Sequence, residues 1–163
     1  VAIVPLPFTL ITAMFVHGGL LHIGGNMLFL WIFGDNIEDR FGHVVFLFFY
    51  LLSGVAASLF HIMLEPGSTV PMVGASGAIA GVLGAYFLLF PKAQINTLVI
   101  LPLYISMVRL PALFFLGFWF LLQVLNSGAS SSGGVAWYAH IGGFVAGVAV
   151  ALGYRALKPA RNR

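Results

Sequence analysis

The sequence contains no cysteine, and this one absence removes several kinds of chemistry. Without a thiol the chain has no disulfide, no cysteine nucleophile and no cysteine-ligated metal site. Charge is almost as scarce, since only 7% of the 163 residues are charged, whereas a soluble domain has about a quarter. Hydrophobic residues make up 61% of the chain. This composition predicts a polytopic membrane protein.

Other absences narrow the architecture. No stretch stands out as alternating between polar and apolar residues, so we expect helices and not a β-barrel. No charged segment precedes Pro5 and Pro7, so no cleavable signal peptide is recognisable. The net charge of +3 does not indicate a nucleic-acid partner, because four of the seven basic residues lie in the tail 155–163. No repeat and no domain boundary is visible.

What is present is a series of apolar segments with lengths suited to a hydrocarbon core of about 30 Å. We predict a single all-α membrane domain over 1–163, a helical bundle with about five transmembrane helices. Its first part, 1–16, is interrupted by prolines and is predicted to be a re-entrant or interfacial loop. The predicted spans are about 20–33, 44–64, 76–90, 112–125 and 136–154, followed by the basic tail 155–163.

Three of the predicted spans carry polar side chains near one end: His22 and Asn26 on the first, Ser76 on the third and His140 on the fifth. Ionisable groups inside a membrane are costly and by default indicate function. Successive spans alternate in direction, so the starts of the first, third and fifth spans lie on the same side. We therefore expect these four residues to lie at one depth in the bundle.

The residue types indicate nucleophilic catalysis. A serine hydroxyl is a weak nucleophile until a neighbouring base takes its proton, and His140 is the histidine in the right layer. Attack on a carbonyl creates an oxyanion, for which Asn26, His22 and the backbone of Ser76 can supply hydrogen-bond donors. No acidic residue lies at this depth, so a Ser–His dyad is expected and not a triad.

Each of these signals has a simpler interpretation on its own. The stretch Gly74 to Gly77 is typical of close helix packing. Asn26 alone is more often an interhelical hydrogen-bonding residue, and His17 can hydrogen-bond within its loop. A metal site formed by His17, His22 and His140 is a further alternative, but no carboxylate joins them, and we expect neither a metal nor a cofactor.

Taken together and in order, three motifs resemble the signatures of the prokaryotic rhomboid intramembrane serine proteases: His22-Ile23-Gly24-Gly25-Asn26, Gly74-Ala75-Ser76-Gly77, and the run from Ala139-His140 to Gly147. Gly34 and Glu38, which follow the first predicted span, also resemble a family motif at the corresponding position. The resemblance covers essentially the whole chain. The resemblance implies a core of six helices, of which we expect the one that precedes the inserted loop to be missing or truncated before Val1.

The resemblance implies that Ser76 is the nucleophile and His140 its base. It also implies residues that stabilise the transition state and residues that pack the last helix against the serine helix: Asn26, His22 and Gly74 for the former, Gly143 and Gly147 for the latter. In one respect the chain departs from some bacterial members, since Ala80 occupies a position where they carry an aromatic residue that stacks on the histidine.

The resulting hypothesis is an intramembrane serine endopeptidase that cleaves transmembrane protein substrates near their outer membrane-embedded end. An inactive rhomboid-like protein that binds transmembrane helices is the first alternative, but it would be expected to lack Ser76 or His140. A small transporter is the second, although the inner halves of the spans are nearly all apolar. The sequence leaves the substrate and the oligomeric state open.

The basic residues predict the orientation of the bundle. With five spans, Arg40, Lys92, Arg109 and the basic tail lie on one side, and the other side carries Glu65 with no Lys or Arg. The positive-inside tendency makes the basic side cytoplasmic. We therefore expect the site to open to the extracytoplasmic side, in the cell (inner) membrane.

The segment 93–110 decides whether this orientation is consistent. If it crossed the membrane, Ser76 and His140 would lie on opposite faces. We therefore predict that it does not cross, and that it lies at the cytoplasmic interface with a bend at Pro102.

Overall fold

The computed structural model describes residues 6–102, 104–128 and 135–157. These residues form a bundle of helices with one β-hairpin inserted between the fourth and fifth helices. The elements are α1 (Leu6–Thr12), a 3₁₀ turn (Ala13–Phe15), α2 (Leu20–Phe41), α3 (His43–Leu64), α4 (Ser76–Leu89), β1 (Gln94–Leu101), β2 (Tyr104–Pro111), α5 (Ala112–Ser127) and α6 (Trp137–Leu157). The predicted helical membrane bundle is confirmed.

Helix α4 is the centre of the bundle. Every residue from 78 to 86 is buried, because α2, α3, α5 and α6 all pack around it. A helix that is apolar on every face, as α4 is, is expected to be enclosed by other helices. The element that begins with Ser76 is therefore the one around which the others are arranged.

Helix α6 lies against α4 with its backbone in direct contact. A Cβ placed at Gly143 would meet the carbonyl oxygen of Gly77, and one placed at Gly147 would meet that of Gly81. Each step of four residues along α6 matches a step of four along α4, so the two helices run parallel. Glycines permit this approach because a side chain at these positions would hold the backbones apart.

Helix α2 continues to Phe41, eight residues past its predicted end at 33. The helix is therefore longer than the predicted span 20–33. Charged residues end the part of a helix that suits hydrocarbon, but they do not interrupt its backbone hydrogen bonds. The chain turns at Gly42, which has a φ of +85° that L side chains rarely adopt, and its N–H donates to the Glu38 carbonyl at 2.7 Å.

The segment after α4 is an antiparallel hairpin. Strand β1 pairs with β2 from Gln94 opposite Pro111 to Leu101 opposite Tyr104, which places the turn at Pro102. The sequence predicts this bend, but the strands were missed. A run rich in Ile, Val and Thr favours extended backbone. The hydropathy of the segment does not distinguish an apolar strand from an apolar helix, so it does not predict the hairpin.

Within the described part of the chain, two helices, α3 and α6, are long and apolar enough to cross a membrane. The pair Phe8–Phe15 and Leu20–Phe41 would make a third span if counted as one, with a bend of 97° between its parts. Helices α4 and α5 are apolar but shorter. The count of five spans and the re-entrant character of 1–16 stay predictions, and the segments 1–5, 129–134 and 158–163 lie outside the described residues.

Candidate active site

The starts of α4 and α6 bring a serine and a histidine into direct contact. Ser76 is the first residue of α4, and His140 lies in the first turn of α6. Their side chains are joined by a hydrogen bond of 2.9 Å between His140 Nε2 and Ser76 Oγ. Because the two helices run parallel in glycine-mediated contact, this bond is supported by the backbone packing below it.

A third polar side chain, which the sequence reasoning missed, completes this group. Gln123 on α5 is 6% exposed, and its Oε1 lies 2.8 Å from His140 Nδ1. Its Nε2 donates a hydrogen bond of 3.0 Å to the Trp119 carbonyl one turn earlier. A signal was present in the sequence, since Gln123 is the one polar uncharged amide within the apolar stretch 112–125.

Two tryptophans lie beside the imidazole of His140. The ring of Trp119 is tilted by 37° at a centroid distance of 6.0 Å, and the ring of Trp137 meets it edge-on at 6.1 Å. The sequence places Ala80 where some relatives carry a stacking aromatic residue. In this chain the aromatic surroundings of the histidine come from α5 and α6.

Gly74 brings the loop before α4 against α2. Its φ is +98°, and a Cβ placed there would lie 2.6 Å from His22 Nε2 and 3.2 Å from Asn26 Nδ2. Its N–H donates to the Ala13 carbonyl at 2.9 Å, so this amide hydrogen is already engaged. Gly74 thus contributes space for its neighbours, and its predicted role in stabilising a transition state stays a prediction.

His22 and Asn26 present donors on this side of the site. His22 Nδ1 accepts a hydrogen bond from the Gly18 N–H at 3.3 Å, so a neutral ring carries its proton on Nε2, the atom close to Gly74. Asn26 is buried, and within the described part of the chain nothing accepts a hydrogen bond from its Nδ2. A buried donor without an acceptor is costly unless a ligand supplies one.

His17 is close to this group but does not join the serine and histidine. Its ring meets the ring of His22 edge-on at a centroid distance of 5.2 Å. Over residues 6–102, 104–128 and 135–157, no group of three or more His, Asp or Glu side chains is placed to hold a metal ion.

A cavity of about 440 Å³ opens beside Ser76 and His140. His22 and Gly74 line it on one side, and side chains of the N-terminal turn and of α3 complete it. Helix α4 has 14 residues and is about 21 Å long, which is shorter than a hydrocarbon core of about 30 Å. Ser76, at the start of this short central helix, is therefore suited to a position below the surface of the membrane.

These features define a class: a helical membrane bundle with a hydrogen-bonded serine and histidine at the end of its buried central helix. A family model described as "Rhomboid domain" matches residues 7–157. The chain belongs to the rhomboid family. The family and the apolar helices together make it an integral membrane protein.

Individual relatives agree with this assignment. The chain is 38% identical over 91 residues to Rhomboid protein 1, mitochondrial, of Saccharomyces cerevisiae, a match covering 53% of this chain and 26% of that protein. It is 40% identical over 76 residues to Rhomboid protease GluP of Bacillus subtilis, covering 47% and 14%. It is 31% identical over 138 residues to RHOMBOID-like protein 4 of Arabidopsis thaliana, covering 85% and 32%. The matched part is thus a third or less of the length of these relatives.

Proposed function

We propose that this rhomboid domain is an intramembrane serine endopeptidase that cleaves transmembrane protein substrates with a Ser76–His140 dyad. The observation that carries the proposal is the 2.9 Å hydrogen bond between His140 Nε2 and Ser76 Oγ in a cavity beside the buried central helix. A serine hydroxyl within hydrogen-bond reach of a neutral imidazole is the arrangement that activates the nucleophile. The family membership supports proteolysis as the general activity.

The chemistry proceeds in two halves. Ser76 Oγ attacks the carbonyl carbon of the scissile peptide bond while His140 Nε2 takes the hydroxyl proton. The tetrahedral intermediate collapses to an ester on Ser76, and His140 gives the proton to the leaving amine. A water molecule then attacks the ester and loses its proton to His140, which returns it to Oγ. The acyl part of the substrate then leaves with a new C-terminal carboxyl group.

The negative oxygen of the tetrahedral intermediate requires donors that are already in place. Asn26 Nδ2 is buried without an acceptor among the described residues, and His22 Nε2 lies beside it next to Gly74. We assign both groups to the stabilisation of this oxyanion. Preorganised donors of this kind act mainly in the transition state, because the charge that they bind develops only there.

The substrates that suit this site are the ends of transmembrane helices. The short central helix α4 supports a position of Ser76 below one membrane surface, because the helix is shorter than the hydrocarbon core. We propose that this surface is the extracytoplasmic one, in the cell membrane, because Arg40, Lys92 and Arg109 lie at the opposite end of the bundle in the five-span arrangement.

The test is cleavage of a reporter transmembrane substrate by the whole chain in lipid vesicles. Ser76→Ala should abolish cleavage while the thermal unfolding of the protein is unchanged. Ser58 lines the same cavity, so Ser58→Ala is a matched control that should retain cleavage. Activity of Ser76→Ala within a few-fold of wild type would refute the dyad. A wild-type chain that crosslinks to the reporter without cleaving it would favour the non-catalytic alternative.

A further inference from the structure

We propose that Gln123 is a positioning residue that fixes the tautomer and the orientation of His140 through a chain of hydrogen bonds from Ser76 to His140 to Gln123. The inference rests on the proposed function. Gln123 lies on α5, a different helix from either dyad member, and its side chain is almost fully buried. Its Oε1 is 2.8 Å from His140 Nδ1, on the side of the ring opposite to Ser76.

The orientation of the Gln123 amide is determined by its second contact. The nitrogen at 3.0 Å from the Trp119 carbonyl donates a hydrogen bond to that oxygen. In the flipped orientation two oxygens would face each other at this distance with no proton between them, which is repulsive. The Trp119 carbonyl therefore leaves the Gln123 oxygen, an acceptor only, facing His140 Nδ1.

An acceptor at this position determines where the imidazole carries its proton. A neutral His140 must have its hydrogen on Nδ1 in order to donate to Gln123 Oε1. Nε2 then carries a lone pair that points at Ser76 Oγ, so the hydroxyl donates to the base that will remove its proton. In the other tautomer Nε2 would be the donor, and the imidazole would be unable to act as a base toward Ser76.

The choice of an amide suits the location. A carboxylate at Gln123 would perform the same orientation and stabilise the imidazolium more strongly, but it would place a charge within a helix that lies among apolar side chains, where ionised groups are costly. The amide orients the ring at no such cost. Trp119 contributes twice, through its carbonyl to Gln123 and through its indole ring beside His140.

The alternative is that Gln123 is only a structural residue that caps its own helix turn through the Trp119 carbonyl. Two variants separate the interpretations. Gln123→Met keeps the length and burial of the side chain but removes the acceptor. Gln123→Glu keeps an acceptor and adds a negative charge. Asn126 also donates from its side chain to a carbonyl four residues earlier on α5, at 2.6 Å. Among the described residues the hydrogen bonds of the His140 ring go to Gln123 and Ser76, so Asn126→Ala is the matched control.

The measurements are kcat and KM for the reporter substrate between about pH 5 and pH 9, with thermal unfolding of each variant. We expect Gln123→Met to lower kcat on the order of 10²-fold with KM unchanged, and Asn126→Ala to lower neither. Gln123→Glu should retain cleavage, and the acid limb of its pH–rate profile should move to higher pH. The carboxylate favours the charged imidazolium, so a higher pH is needed to obtain the free base. His22, which lines the same cavity as His140, is unchanged in all variants.

A direct readout of the tautomer is the ¹⁵N NMR spectrum of the His140 ring in detergent micelles. The wild-type ring should carry its proton on Nδ1, and Gln123→Met should give a mixture of the two tautomers. A Gln123→Met protein with kcat within about threefold of wild type, or one whose His140 ring still carries its proton on Nδ1 alone, would refute the inference. Either result, together with an inactive Ser76→Ala, would leave the dyad intact. An active Ser76→Ala would instead refute the proposed function itself.

Discussion

The backbone contact between α4 and α6 at Gly147 leaves no room for a single methyl group. A Cβ placed at Gly147 would lie 2.7 Å from the carbonyl carbon of Gly81 and 2.9 Å from its Cα, whereas the closest favourable separation of two carbons is about 3.5 Å. Backbone atoms cannot rotate away, so Gly147→Ala must separate the helices by roughly 0.8 Å or more. Overpacking of this kind costs about 1–3 kcal/mol.

The same separation acts on the proposed site. A displacement of that size, carried to the start of the helices, lengthens the 2.9 Å bond between Ser76 and His140 to or beyond the limit of about 3.5 Å at which a hydrogen bond is lost. Gly147→Ala should therefore lower both the unfolding temperature and the rate of reporter cleavage. The assays are thermal unfolding in detergent micelles and cleavage measured below the unfolding transition, so that the loss of activity is read on folded protein.

Gly153 provides the matched control on the same helix. A Cβ at Gly153 meets nothing within 4 Å, and alanine is favoured over glycine in a helix by about 1 kcal/mol. Gly153→Ala should therefore be neutral or slightly stabilising and fully active. If Gly147→Ala were as stable and as active as Gly153→Ala, the tight helix contact would not be what holds the dyad together.

Two further predictions concern the oxyanion side and the orientation of the bundle. Asn26→Ala should lower kcat by about 10²-fold with little change in KM. Asn36→Ala, at an exposed position on the same helix, is the control and should change neither constant. An effect on KM alone would assign Asn26 to helix packing. Because the chain has no cysteine, Arg109→Cys in β2 and Ser68→Cys in the loop before α4 each introduce a single thiol, and a membrane-impermeant maleimide should label them from opposite sides. Labelling of both from the same side would contradict the proposed orientation.

The sequence predicted the helical bundle because hydropathy acts on long segments. The starts of α3, α4, α5 and α6 fall within one residue of their predicted positions, since each follows a proline, a glycine or a polar loop. The end of α2 was predicted incorrectly because the charges after Gly34 suit the membrane interface and a helix equally well. Hydropathy reports where a helix leaves lipid and not where its hydrogen bonds stop.

The hairpin and Gln123 show two further limits of the sequence. The strands β1 and β2 are held by pairing between residues that become neighbours only after the turn at Pro102 forms. No periodicity within either strand predicts this pairing. The role of Gln123 depends on α5 lying beside α6, a relation that no local pattern contains. The prediction that Ser76 and His140 lie at the same end of the bundle could be made because the alternation of spans is a property of the whole chain.

The central claim is that Ser76 is a nucleophile activated by His140, and its most direct test is covalent labelling. A fluorophosphonate probe should modify the protein in vesicles at Ser76 alone, as located by mass spectrometry, and the buried Ser53 and the cavity-lining Ser58 should stay unmodified. His140→Ala should abolish the labelling while the protein stays folded. Labelling that survives His140→Ala, or an unmodified Ser76 in the folded wild-type protein, would contradict the claim.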